Sequence, residues 1–252
     1  NAIFCEKTQL IHNAGNWRLE SRDWKTKMEK ALLRFLNDYI LEALFPRRCF
    51  GCGREGFALC EACIVEFPRA PAESGSVVAY APFSYRHPAL KKALWALKFK
   101  GDTEIARICA ALLYDRIIPL LEEYASYRGV KMPLLVPVPI SRRRRWERGY
   151  NQAELITREL ARLDGEGSFE LACGTLRKIK NVPPQTTLRE KTARMKNVER
   201  CFAVVPEEAA RLRGRDVIVL DDIFTTGATF GEAKRALKAA GARVVICVAV
   251  AH

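Results

Sequence analysis

The sequence has no apolar run long enough to cross a bilayer. The run near its C-terminal end, 244–251, has eight residues, where about eighteen or more are needed for a transmembrane helix. The N-terminal stretch has Phe4 and the Leu10–Ile11 pair but no continuous apolar segment, so no secretory signal is read there. These absences lead to an expectation of a cytoplasmic protein without membrane insertion. No G-x-G-x-x-G follows a strand pattern, which argues against a dinucleotide-binding site. No helix-turn-helix is recognisable, which argues against a transcriptional regulator. There is no internal repeat and no low-complexity tract. Acid is in short supply: 29 Asp and Glu stand against 42 Lys and Arg, a net charge of +13. That excess favours polyanions, whether phosphate-rich ligands, nucleic acid or anionic lipid, and does not choose among them.

What is present fills 252 residues, of which 49% are hydrophobic. That is room for one large domain, or a small and a medium one, around a sizeable core. Residues 1–27 are poorly patterned and read as a partly irregular leader. Strong periodicity begins just after Met28, which reads as the natural start. Leu32, Leu33, Leu36, Ile40, Ala43 and Leu44 recur at helical spacing until Pro46. Pro68, Pro71, Ser74 and Gly75 mark a linker. The expected organisation is therefore a leader at 1–27, a helix and cysteine-rich region at 28–70, and a larger domain at 71–252. In the last, a strand is expected at 77–83, helices near 90–98 and 103–124, and a strand at 134–138. A helix at 151–163, short strands at 202–205 and 217–220, a helix at 232–240 and a strand at 244–250 follow. This alternation predicts an α/β fold with a doubly wound, mostly parallel sheet.

The most informative stretch is 217–229, VIVLDDIFTTGAT. Four bulky apolar residues make a buried strand, with Asp221 and Asp222 at its carboxyl end. Ligands of open α/β sheets bind outside the carboxyl ends of strands. Thr225, Thr226, Gly227, Ala228 and Thr229 form the turn into a helix, where N–H groups and hydroxyls make an anion nest. The carboxylates can accept from sugar hydroxyls or hold a hydrated Mg²⁺. A phosphate cradle beside a diol clamp describes a ribose 5-phosphate site. An ordinary strand with an acidic helix cap would need only one of these acids.

Among nine cysteines, four form two C-x₂-C pairs, Cys49 with Cys52 and Cys60 with Cys63. This matches a closed tetrahedral zinc site with no open position, hence a structural one. So short a segment cannot build its own core, and the metal would supply its folding energy. Disulfides, a redox C-x-x-C and a [4Fe–4S] cluster are the alternatives.

After the VPVP of 136–139 come Arg142, Arg143, Arg144 and Arg145, then Trp146, Arg148 and Tyr150. A charge run is often only a solvated face. At a strand end, however, arginine forks can hold pyrophosphate. Trp146 and Tyr150 offer rings on which bases could stack.

The 217–229 run resembles the phosphoribosyl pyrophosphate (PRPP) signature of type I phosphoribosyltransferases. The paired cysteines, K-F-K-G-D at 98–102, VPVP, R-G-Y-N-Q at 148–152, Q-T-x-L at 185–188 and R-x-x-N at 194–197 occur in order with that signature. Together they resemble the ComF family of competence-associated phosphoribosyltransferase-like proteins, from about Leu32 to the C-terminal end. The resemblance implies a type I phosphoribosyltransferase fold with an N-terminal helix and a Cys₄ zinc ribbon. It implies PRPP and Mg²⁺ at Asp221, Asp222 and 225–229, with the acids catalytic. It further implies a structural Zn²⁺, and a loop carrying Gln185, Arg194 and Asn197 that closes over the sugar. By analogy it suggests a competence helicase as partner. Four successive arginines exceed the family's usual one or two.

Nothing in the sequence marks an acceptor pocket. Two functions of different class therefore stand: a phosphoribosyltransferase acting in DNA uptake on an unassigned acceptor, or a non-catalytic single-stranded-DNA-binding competence factor with a regulatory or vestigial PRPP site.

Overall fold

A computed structural model describes residues 46–70, 79–165, 167–180 and 200–252. The chain divides into compact units at 1–47 and 48–252, and it is the second that is described below. The expected leader, the expected helix at 29–45 and the expected loop residues Gln185, Arg194 and Asn197 lie outside the described residues.

The core is a four-stranded parallel sheet. Its strands are β1 (Leu134–Pro137), β2 (Glu170–Leu171), β5 (Val217–Ile223) and β6 (Val245–Ala251), in the order β2-β1-β5-β6. Every residue of β1 and β6 is buried. That is why these strands read as unbroken apolar runs rather than alternating ones: both faces of a parallel sheet are covered. Leu135, Ile218, Leu220, Ile246, Val248 and Val250 face one core. Leu134, Val136, Val217, Val219, Val245 and Cys247 face the other.

The first core is closed by α2 (Pro88–Lys100), α3 (Thr103–Arg128) and α5 (Gln152–Leu163). Asp102 caps α3, its carboxylate accepting from the N–H of Glu104 and of Ile105. Pro119 lies inside α3 and does not end it; the helix runs to Arg128, beyond the expected 124. The second core is closed by α7 (Ala228–Ala239), through Phe230, Ala233, Ala236 and Leu237. A hairpin of β3 (Leu176–Lys178) and β4 (Phe202–Val204), paired antiparallel, packs its Leu176 and Phe202 into the same core. Two short helices, α1 (Glu61–Val65) and α6 (Ala209–Leu212), complete the unit with α4, described below.

Of the strand expected near 77–83, residues 79–83 are described, and they run along the outer edge of β6 as a bridged segment. Tyr80 pairs with Val248 and Phe83 with Ala251, both parallel. Tyr80 N–H donates to the Cys247 carbonyl at 2.8 Å and its carbonyl accepts from Ala249 N–H at 2.9 Å. This contact covers an edge that would otherwise present open hydrogen-bonding groups. No helix among the described residues is long and apolar enough to cross a membrane.

Candidate functional site

Strand order locates the crevice. The chain leaves β1, passes through α5 on one face, and returns at β2 on one side. From β5 it passes through α7 on the other face and returns at β6 on the opposite side. The order reverses between β1 and β5, so their carboxyl ends flank a topological switch point, the usual ligand crevice of such sheets. Pro137 of β1 is level with Leu220 of β5. Asp221 and the residues after Pro137 thus emerge at the same edge.

The acids belong to β5 itself, which runs three residues past the four expected. Successive residues of a strand point to opposite faces, and the pair is split accordingly. Asp222 follows Ile218 and Leu220; it is 4% exposed, and its Oδ1 accepts from Ile223 N–H at 3.0 Å. Its Oδ2 is buried without a hydrogen-bond partner among the described residues. Burial first, then the Asp222 carboxylate, pushes the Cys109 thiol up to about 12. Asp221, half-buried, accepts from Asp222 N–H at 2.9 Å. Burial and the neighbouring Asp222 charge hold the Asp221 carboxyl well above the ordinary carboxylate range, with Lys98 opposing the shift.

Past the acids the chain turns through Thr225 and Thr226 to Gly227, whose φ of 77° is left-handed and suits glycine. The helix then begins at Ala228, four residues before the expected start, so Ala228 and Thr229 form its first turn. No side chain caps this helix start among the described residues. The leading N–H groups of a helix have no intrahelical partner and can serve as anion donors.

The expected basic loop is instead a helix, α4 (Arg142–Arg148). Ser141 caps it, accepting from Arg144 N–H at 3.3 Å, and Gly149 with φ 79° ends it. Arginine, tryptophan and glutamate are adequate helix formers, and reading the segment by charge alone hid this. Arg143 pairs with Glu147 at 2.7 Å and Arg145 with Glu154. Arg148 donates to Gln152 at 3.4 Å. Arg142 and Arg144 form no ion pair among the described residues.

The structure separates the two aromatics expected to stack. Trp146 is 87% exposed. Tyr150 is a packing residue instead: a β-carbon on Gly101 would lie 2.7 Å from its Cε1, and its hydroxyl is buried without a described partner. It locks the junction of α2 and α3 and is not free for a base.

Sequence reasoning missed Arg177 and Lys178. With Pro139, Ile140, Arg142, Arg145 and Trp146 they line an open groove of about 750 Å³ between α4 and β3. Burial first holds the Lys178 ammonium below its usual value; Arg144 adds to the shift, while Cys201 and Asp221 oppose it. Neither carboxylate of the signature lines the groove. Only pairing with β4 brings these residues to the edge, and no local pattern announced that.

The four cysteines converge as expected. Their sulfur atoms lie within 4.8 Å of one another, with Cys49 3.6 Å and Cys52 3.5 Å from Cys60. None is in a disulfide. Cys60 N–H donates to Cys49 Sγ at 3.3 Å. Burial opposes ionisation of Cys49, but N–H groups of Cys60, Cys52 and Gly51 bring it down to about 6. Such spacing suits one central ion, as in a closed zinc site; four irons with their sulfides would hold the thiolates farther apart. The ribbon joins the same compact unit as the sheet, Glu104 of α3 accepting from Ala58 N–H at 3.1 Å.

Residues 162–252 match the family model of the phosphoribosyl transferase domain. Competence protein F of Haemophilus influenzae is 27% identical over 205 residues, covering 77% of this chain and 85% of the relative. DNA utilization protein YhgH of Escherichia coli strain K12 is 31% identical over 162 residues, covering 63% of this chain and 65% of that protein. Competence protein ComFC of Bacillus subtilis is 30% identical over 150 residues, covering 59% of this chain and 53% of the relative. The chain thus spans between half and two thirds of the latter two.

Proposed function

The chain belongs to the ComF family of phosphoribosyltransferase-like proteins, and from that premise we propose that it binds Mg²⁺–PRPP at the carboxyl end of β5 and transfers the phosphoribosyl group in the service of DNA uptake. The observation that carries this reading is the adjacency of Asp221 and Asp222 to the uncapped start of α7 at the switch point. The leading N–H groups of α7, with the hydroxyls of Thr225, Thr226 and Thr229, hold the 5-phosphate. Asp221 and Asp222 accept from the ribose hydroxyls, and their charge favours the positive charge that develops on the ring as pyrophosphate departs. Arg142 and Arg144, at the neighbouring strand end, receive the pyrophosphate. A bound Mg²⁺ would neutralise pyrophosphate charge and ease its departure. Cys49, Cys52, Cys60 and Cys63 hold a structural Zn²⁺.

Calorimetry with Mg²⁺–PRPP tests the site, and pyrophosphate release in the presence of a panel of bases tests transfer. No binding by the parent protein would sink the reading. Binding without release under any acceptor would leave the site regulatory.

A specific observation favours a second reading beside the first. Trp146, 87% exposed, stands over a groove lined by Arg142, Arg145, Arg177 and Lys178. A free ring among phosphate-binding cations suits single-stranded DNA, whose handling the names of the relatives suggest.

A further inference from the structure

The solvent face of α2 carries a feature that neither the signature nor the α4 groove uses. Leu90, Ala93, Leu94 and Leu97 are fully buried and anchor the helix. Trp95 and Phe99 lie off that face, 53% and 52% exposed, so the core does not require them. They are neighbours at the i,i+4 spacing, with ring centroids 5.1 Å apart. Each ring already carries a cation: Lys100 Nζ sits 5.9 Å from the Trp95 centroid, and the Arg148 guanidinium 5.0 Å from that of Phe99. The helix also bears Lys91, Lys92 and Lys98 and contains no acid. Arg148 belongs to α4, two residues from Trp146, so the two exposed aromatic sites are joined through one helix.

We propose that Trp95 and Phe99, flanked by Lys100 and Arg148, form a second base-stacking platform for single-stranded nucleic acid, continuous through Arg148 with the Trp146 groove. The inference rests on the second reading above and extends it from one ring to a track. The occupant follows from charge and shape together. An acid-free face attracts a polyanion, and flat rings between cations suit a strand that alternates bases with phosphates. A folded acidic partner would engage the lysines and leave the exposed ring faces unused.

Fluorescence anisotropy on the full chain tests this, with labelled oligothymidine, oligouridine and an abasic DNA strand of equal phosphate number. The double change Trp95→Ala and Phe99→Ala should weaken oligothymidine binding roughly tenfold or more and leave the abasic strand unaffected. Trp95→Tyr should restore most of the loss, which a merely structural role would not predict. Equal weakening on both DNA strands would overturn stacking, since the rings would then only be shaping a phosphate surface. Unchanged affinity in the double variant, with Trp146→Ala still weakening binding, would sink the platform and spare the α4 reading. No binding by the parent protein would sink both. Competition by polyglutamate as effective as that by unlabelled oligothymidine would show an acidic-protein dock instead. The oligouridine arm sets whether the track takes RNA as well as DNA.

Discussion

Asp222 donates its backbone N–H to the carboxylate of Asp221 at 2.9 Å, which ties the side chain of one acid to the backbone of the next. Asp221 is held well above the ordinary carboxylate range by burial and by that neighbour. Its raised value stabilises the unliganded fold at low pH. That contribution is complete below the unfolded carboxylate value and is lost as pH rises through the folded one. The site therefore carries a like-charge cost that protonation of Asp221, or a bound cation, relieves. Asp221→Asn should raise thermal stability at neutral pH by about 0.5–2 kcal/mol, or about 2–4 °C for each kcal/mol, while weakening Mg²⁺–PRPP. Scanning calorimetry and titration on the two proteins check this; a lower midpoint in the variant contradicts it.

The same shift sets the sign of a pH effect. Binding a magnesium-bearing ligand beside Asp221 should release a proton, so affinity for Mg²⁺–PRPP should rise with pH through the raised value. Calorimetry in buffers of different ionisation enthalpy measures the released proton directly. Asp221→Asn should flatten the dependence.

Gly51 leaves no room for a side chain: a β-carbon there would sit 2.6 Å from Cys63 Sγ. Gly51→Ala should thus displace one ligand of the thiolate cluster and lower bound zinc well below one equivalent. Gly53 lies on the next turn, with φ 77° and nothing within 4 Å of the added carbon. Gly53→Ala should retain zinc, at a backbone cost of about 1–2 kcal/mol. Metal analysis of both variants after dialysis separates the outcomes.

Tyr150 and Gly101 predict opposite consequences for two small changes. Gly101→Ala adds a clash to a left-handed φ of 66° and should cost about 1–3 kcal/mol from overpacking alone. Tyr150→Phe removes a buried hydroxyl without a described partner. It should be neutral or stabilising by about 1 kcal/mol. Urea unfolding midpoints decide, and marked destabilisation by Tyr150→Phe would reveal a hidden hydrogen bond.

On α4, Arg142→Glu with Arg144→Glu should lower both single-stranded DNA affinity and its salt slope, at about −0.7 per phosphate lost. Trp146→Ala should lower affinity with little change in slope. Arg143 is a poor choice for charge reversal, because it already pairs with Glu147. DNA binding unaffected by all three changes would falsify the assignment of α4.

Much of this was legible in the sequence because the signals were local. The signature packs strand, acids, turn and helix start into thirteen consecutive residues, and C-x₂-C spacing needs only two turns to converge. What escaped depended on distant partners. The fate of Tyr150 was decided by Gly101, 49 positions earlier in the chain. Lys178 reached the crevice through pairing with β4. Four arginines suggested an extended loop because charge dominates the eye, while Ser141 and Gly149 were already in place as helix cap and stop. The strand was expected over 217–220 with the acids at its end, because carboxylates are rare in strands, yet pairing of Asp221 with Ala249 and of Ile223 with Ala251 carries the ladder past them.

The covering of β6 by residues 80–83 also bears on how the molecule assembles. β5, α7 and β6 are contiguous and can close as one βαβ unit with a short loop to pay for in entropy. The bridges from Tyr80 to Val248 and from Phe83 to Ala251 join segments 168 residues apart in the chain. Contacts so distant in sequence form slowly, because a long stretch must be gathered before any of them is rewarded. Pulse-labelled hydrogen exchange should therefore find the amides of β5 protected before that of Ala249, which donates to Tyr80; simultaneous protection would refute that order. Until the late step is complete, β6 is an open edge on a chain that is still folding, and another copy can pair with it as readily as residues 80–83 can.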